Sequence, residues 1–190
     1  MSRLPRSTTR PPLAGRGRRR PGGTARPALR FGLLFAAAAI GLFAIYEVTE
    51  VTHAFHAVNE LNAKLCVQLL RIGGIPVQRS GTTMLLASGG MDVVSECSAV
   101  YVVILFAAAV LAFPTTWRAR GRGLLIGVPC LFAVNLLRLV SLGVVIRFRA
   151  SLLPLFHEYL WQVLFILVVA GLYLFWIERI VPRAGARSAA

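Results

Sequence analysis

Four apolar segments interrupt this sequence, and they constrain the fold more than any other feature. They comprise residues 31–51, 99–113, 124–146 and 157–177. A helix needs about 20 residues to cross the hydrocarbon core of a lipid bilayer. The hydrophobic share of the chain, 57% of its residues, also exceeds that of an ordinary soluble domain. We therefore predict an all-α polytopic membrane protein with about four transmembrane helices.

The distribution of basic residues predicts how these helices are oriented. If the N-terminus is cytoplasmic, the inside segments hold fifteen Lys and Arg residues and the outside segments hold five. Cytoplasmic segments of membrane proteins carry the excess of Lys and Arg. We therefore predict that both termini lie in the cytoplasm and that residues 52–98 lie on the outer side of the membrane.

The two ends of the chain differ in composition from the apolar segments. Residues 1–30 contain nine arginines among prolines and glycines, so they cannot bury apolar surface, and we predict a disordered cytoplasmic tail. Residues 181–190 are predicted to be a second cytoplasmic tail, which leaves residues 31–180 as the membrane domain. Basic segments beside a membrane attract anionic lipid, so we expect lipid contact and no nucleic-acid partner.

The outer segment 52–98 has two parts. In its first part, apolar residues recur at the spacing of a helix that ends at Gly73-Gly74; they are Phe55, Val58, Leu65, Leu69 and Ile72. This pattern predicts an amphipathic helix at the outer interface. The second part, IPVQRSGTTMLLASGGMDVV, has breaks at Ser80-Gly81 and Ser88-Gly89-Gly90, so we predict a small β-meander. Its edge could bind an extended peptide.

Three reactive side chains, Cys97, Arg138 and His157, are predicted to reach one depth on the outer side. Cys97 precedes the second span, and His157 opens the fourth. Arg138 lies 14 residues along the third span, which places it about 21 Å across a core of roughly 30 Å. Because a charged residue within a transmembrane span is energetically costly, such an arginine usually forms an ion pair or belongs to a functional site. Topology alone therefore brings a thiol, a guanidinium and an imidazole together.

These three groups are the parts of an acyl-transfer reaction. A neighbouring imidazole or fixed cation shifts a thiol towards thiolate, which is the nucleophilic form. The imidazole can return the proton to a leaving amine. A guanidinium can stabilise the oxyanion that forms when the thiolate attacks a carbonyl. Asn135, about one helical turn before Arg138, is a candidate to hydrogen-bond in the same cluster.

Other readings of these residues stay open. Glu96 and Glu158 are candidates to orient Arg138 or His157, and either could instead form a structural ion pair with Arg138. In that case the protein would be a non-enzymatic assembly or transport subunit. A third possibility is a membrane thiol oxidoreductase that works through Cys66 and Cys97, which could also form a disulfide in the outer compartment. No CxxC motif supports it.

We predict no cofactor and no metal site. No phosphate-binding loop or dinucleotide fingerprint is present. His53, His56 and Glu60 fall near one helical face, but no fourth ligand accompanies them. Cys66 and Cys130 are most simply interpreted as packing residues.

The sequence resembles the exosortase/archaeosortase family of membrane-embedded transpeptidases. The resemblance is carried by Cys97-Ser98 opening one span, by the run NLLR at 135–138 within the next, and by HEYLWQ at 157–162 opening the last. It covers roughly residues 31–180, and the short chain is similar to the exosortase H branch. The family usually has glycine two residues after the cysteine, where this chain has Ala99.

The resemblance implies a cysteine-type transpeptidase or peptidase of a bacterial inner membrane, with its active site facing the periplasm. Its partners would be exported proteins with a C-terminal sorting signal, which consists of a short motif, a transmembrane helix and a basic cluster. By analogy Cys97 would be the nucleophile, Arg138 the stabilising cation and His157 the proton-transfer residue. The enzyme would form a thioester and pass the acyl group to an acceptor that the sequence does not identify.

Overall fold

The structure, a computed structural model, describes residues 25–51, 56–94 and 97–181. Most of the two predicted tails lies outside these residues, as do His53 and Glu96. The described residues form five α-helices and three strands: α1 Ala25–Val51, α2 His56–Ile72, β1 Val77–Ser80, β2 Thr83–Leu86, β3 Gly89–Asp92, α3 Val100–Ala112, α4 Trp117–Arg149 and α5 Trp161–Arg179. A 3₁₀ turn, Ala150–Leu152, and a π-helical turn, Leu155–Leu160, connect α4 to α5.

Three of the described helical segments are long and apolar enough to cross a membrane. They are Pro27–Thr49 in α1, Trp117–Leu152 around α4 and Leu155–Arg179 around α5. The chain is therefore a multi-pass membrane protein. The predicted span 99–113 forms α3, whose 13 residues make a helix of about 20 Å. That length is short of the roughly 30 Å core, so a fourth crossing is not confirmed and stays a prediction.

Helix α3 packs against α1, α4 and α5. Near its start, Val100 and Ile104 share a buried cluster with Tyr46 of α1. Further along, Phe106 and Val110 share a second cluster with residues of α4 and α5. The shortest of the apolar helices, α3, is therefore in contact with each of the other three.

Two glycines bring α4 close to its neighbours. Gly123 and Gly127 are four residues apart on the buried face of α4. A Cβ added at Gly127 would overlap the ring of Phe106, and one added at Gly123 would lie 2.5 Å from the indole nitrogen of Trp176. Small residues at this spacing let transmembrane helices approach closely enough for backbone and side chains to interlock.

Gly127→Ala is expected to destabilise the helix bundle. Phe106 is 1% exposed, and an added Cβ would overlap its ring, so the ring would have to shift out of its packed position. We expect an unfolding free energy about 1–3 kcal/mol lower than that of a matched Gly121→Ala variant, measured by denaturation in micelles. Gly121 is in the same helix and has nothing within 4 Å of an added Cβ, so this control has the same gain in helix propensity. Equal stabilities of the two variants would contradict the tight contact.

Helix α2 and the sheet cover one end of the bundle, which we call the sheet end. The sheet is antiparallel with strand order β1-β2-β3. Its apolar face packs against α2 and α4 in a cluster that includes Cys66, Leu70, Val77, Met84, Leu139 and Ile146. The predicted helix and β-meander are both observed. Of the apolar residues that predicted the helix, Leu65, Leu69 and Ile72 are exposed, and a different face, which includes Cys66 and Leu70, is buried. Gly74 and Gly81 have positive φ, 77° and 58°, so they supply the left-handed backbone that ends α2 and turns β1 into β2.

Candidate active site

Arg138 and His157 are in direct contact at the sheet end of the bundle. The Nη2 atom of Arg138 lies 3.4 Å from the Nε2 atom of His157. Arg138 comes from α4, and His157 comes from the π-helical turn that precedes α5. Both side chains are half-buried. The structure therefore brings together two of the three site residues predicted from the sequence.

The local backbone fixes how these two side chains meet. In a π-helix the hydrogen bonds run to the fifth residue, which changes the direction of the side chains, and such turns are frequent at functional sites. Ser141 donates a hydrogen bond of 2.7 Å to the Arg138 carbonyl and accepts one of 2.8 Å from the indole N–H of Trp161. The start of α5 is thus tied to α4 within one turn of Arg138. No motif in the sequence indicates this link, because Ser141 and Trp161 are 20 positions apart.

The guanidinium of Arg138 is poorly satisfied within the described residues. Its Cζ lies 5.8 Å from the centre of the Phe165 ring, a cation–π distance. Its Nε is buried without a hydrogen-bond partner in the described part of the chain. No described carboxylate lies within 4.0 Å, so an ion pair with Glu158 is not formed, and Glu96 is outside the described residues. Arg138 therefore retains N–H donors for a ligand.

Cys97 lies within electrostatic range of Arg138. Its backbone N–H donates to the Val94 carbonyl at 2.8 Å, and α3 begins three residues later. The side chain is 9% exposed and packs in the cluster under α2 and the sheet. A negative charge on this sulfur would interact electrostatically with the Arg138 guanidinium. The fold therefore places a fixed cation near this thiol.

The supporting residues have different surroundings. Glu158 is exposed and interacts electrostatically with His157. Asn135 is fully buried, and within the described residues neither its amide oxygen nor its amide nitrogen has a hydrogen-bond partner. The predicted hydrogen bond from Asn135 into the cluster is therefore not observed. The Asn135 amide is thus an unused donor and acceptor about one turn from Arg138. Leaving a buried polar group unsatisfied lowers the stability of a folded protein by about 1–3 kcal/mol.

A cavity of about 680 Å³ adjoins the site. Arg138, His157 and Glu158 line its polar end, and apolar side chains of α1, α3 and α5 line most of the remainder. Cys97 is not among the described residues that line it. Arg138 thus lies both on the cavity and beside the cluster that contains the thiol.

The candidate metal ligands and the other cysteines lie elsewhere. On the exposed face of α2, the Nε2 of His56 lies 3.5 Å from Glu60 Oε1, and His53 is outside the described residues. Cys66 and Cys97 belong to the same buried cluster, and both are thiols rather than halves of a disulfide. Cys130 is half-buried in α4.

Cys66 predicts a pH dependence of stability. Cys66 is 0% exposed, and burial raises the pKa of its thiol from 9.0 to about 12. The folded protein therefore holds this proton more tightly than the unfolded chain, so the stabilisation is complete below pH 9 and is lost as the pH rises towards 12. Thermal denaturation in micelles should show the wild type losing stability more steeply above pH 9 than Cys66→Ala does. Parallel pH profiles for the two proteins would contradict a buried neutral thiol.

Comparison with known proteins gives one match. No curated protein and no solved structure matches the sequence. The family model described as transmembrane exosortase matches residues 24–176, which is most of the 190-residue chain and includes Cys97, Arg138 and His157. The chain belongs to the transmembrane exosortase family.

Proposed function

We propose that this protein is a membrane-embedded cysteine transpeptidase or peptidase that cleaves C-terminal sorting signals from exported proteins. Membership of the exosortase family suggests this activity. The observation that carries the proposal is the 3.4 Å contact between Arg138 and His157, together with the electrostatic interaction between Arg138 and Cys97. Three residues far apart in sequence supply a nucleophile, a cation and a proton carrier at one end of the bundle.

The reaction begins with proton transfer from the Cys97 thiol to the His157 imidazole. The thiolate attacks the carbonyl carbon of the junction peptide bond, and Arg138 stabilises the oxyanion that develops. When the carbon–nitrogen bond breaks, His157 returns its proton to the leaving amine. The amine departs with the C-terminal helix, and the exported protein remains on Cys97 as a thioester.

The second half of the reaction releases the exported protein. A hydroxyl or amine of the acceptor, or water, attacks the thioester carbonyl. His157 takes the proton of this nucleophile and then passes it to the departing Cys97 sulfur, so the enzyme returns to its starting state. The acceptor is a glycan, a lipid or another molecule.

The predicted membrane orientation fits this chemistry. With the N-terminus in the cytoplasm of a bacterial inner membrane, the sheet end of the bundle faces the periplasm. An exported protein held by a C-terminal transmembrane helix has its junction at that same surface. The substrate bond and the three side chains would then lie at one depth.

The two competing functions gain no support from the contacts. A structural ion pair requires a carboxylate beside Arg138, and no described residue supplies one within 4.0 Å. A thiol oxidoreductase requires a reactive partner for Cys97. The pKa of about 12 keeps the Cys66 thiol protonated at neutral pH, and a protonated thiol is not the attacking species.

Co-expression with a substrate tests the proposed function. The substrate is an exported protein of the same genome that ends in a short motif, an apolar helix and arginines. Intact-mass measurement should show that the wild-type protein removes the apolar helix and leaves a free carboxyl or an attached acceptor. Persistence of the full-length substrate beside a correctly inserted enzyme would refute the proposal.

A further inference from the structure

The cavity beside the candidate site is an elongated groove along the helices. It extends along the π-helical turn and α5 from His157 to Tyr173, which is 16 residues, or about 24 Å of helix. Helices α1 and α5 both pack on α3 and form the two sides of the groove, with Phe35 on the α1 side. Apart from its polar end, the lining is apolar, so the groove belongs to the hydrocarbon depth of the membrane.

The dimensions of the groove fit one face of an α-helix. A helix 24 Å long and about 10 Å wide occupies roughly 1,900 Å³. The groove, at about 680 Å³, would therefore enclose about a third of such a helix and leave the rest to lipid. Ala109 and Ala170 line it, and small residues are what allow close approach of helices in membranes.

The polar end of the groove complements the beginning of a helix. The first four N–H groups of a helix have no partner within it, and they carry the positive end of the helix dipole. Glu158 and Gln162 line this end of the groove and offer acceptor oxygens. Arg138 and His157 lie beside these two residues. Their N–H groups can donate hydrogen bonds to the backbone carbonyl that precedes the first turn of a docked helix.

We propose that this groove is the docking site for the transmembrane helix of the substrate, with Glu158 and Gln162 accepting hydrogen bonds from its first turn. The proposal rests on the proposed function and adds the place and direction of binding. The substrate helix runs parallel to α5, so its junction peptide lies against Arg138 and His157. This arrangement holds the scissile bond at the depth of Cys97.

Site-specific photo-crosslinking tests this docking. Ile166 and Leu167 are adjacent in α5 and are 63% and 62% exposed, but only Ile166 lines the groove. A benzoylphenylalanine replaces each in turn in the Cys97→Ala protein, which holds its substrate uncleaved. The probe is a reporter that carries the C-terminal tail of an exported protein from the same genome. Because capture requires contact, we expect about tenfold more cross-linking at position 166 than at position 167.

The direction of the substrate helix is tested by a second groove position. Ala170 also lines the groove and lies four residues, or about 6 Å, beyond Ile166. Mass spectrometry should place its cross-link about one helical turn further from the junction than the cross-link of position 166. A shift towards the junction, or cross-links only to phospholipid at both positions, would overturn the proposal.

The cross-linking experiment and the cleavage experiment test the docking site and the proposed function separately. If the wild-type protein processes the reporter while positions 166 and 167 cross-link equally, the groove is not the docking site and the proposed function stands. If position 166 captures the tail selectively while the wild-type protein leaves it intact, docking is supported and the cleavage activity is refuted.

Discussion

Cys97→Ala is expected to abolish removal of the C-terminal helix from the substrate. Without the sulfur no thioester forms, and the remaining groups cannot replace a covalent nucleophile. The rate constant should fall by about 10,000-fold or more, as it does when other covalent nucleophiles are removed. The measurement is single-turnover cleavage of the reporter by protein reconstituted in lipid, with the shortened product resolved by mass.

The matched control for this variant is Cys130→Ala. Cys130 is a half-buried thiol in α4 that is neither in the described lining of the cavity nor in the cluster around Cys97. We expect Cys130→Ala to cleave within about twofold of the wild type, as distant substitutions usually do. Normal cleavage by a correctly inserted Cys97→Ala protein would show that another group is the nucleophile.

Arg138→Gln is expected to produce the second largest loss. Removing one donor to a developing oxyanion costs about 100- to 1,000-fold in rate, and here the lost group also carries the charge that interacts with Cys97. Because the interaction strengthens in the transition state, kcat should fall while the affinity for the tail changes little. The cleavage rate of Arg138→Lys should lie between those of the wild type and Arg138→Gln, because lysine keeps the charge but not the planar arrangement of donors.

Arg149→Gln is the control for removing a charge from the same helix. Arg149 is exposed in the last turn of α4, and its loss should leave cleavage unchanged. A structural role for Arg138 predicts a different pattern: neutralising its acidic partner together with Arg138 would restore activity. Recovery of cleavage in such a double variant would exclude Arg138 from the chemistry.

The elements predicted correctly are those that a local sequence pattern indicates, such as a long apolar stretch or a regular spacing of apolar residues. The apolar stretches that became α1, α4 and α5 are long, and helix formation satisfies every backbone group in a membrane. The helical spacing of apolar residues predicted α2, and the glycines after it marked its end and the first strand turn. The meeting of Arg138 with His157 was predictable because the position of each along its span sets its depth.

The remaining features depend on contacts between helices, which a single sequence does not show. The composition of residues 99–113 resembles a span, but Pro114 and the turn to α4 leave a 13-residue helix. The π-helical turn at His157 has no compositional signature. The bond from Trp161 to Ser141 links residues that are 20 positions apart. The groove exists because α1 and α5 both pack on α3, and the packing of α3 is a tertiary property.

The most direct test of the central claim is mass spectrometry of the covalent intermediate. The wild-type protein is mixed with the reporter, quenched in acid within the first turnover and digested. We predict that the peptide containing Cys97 carries the acyl fragment that ends at the junction, and that hydroxylamine removes it as expected for a thioester. Cleaved reporter in the same sample, with the Cys97 peptide unmodified at every time point, would show that Cys97 is not the nucleophile.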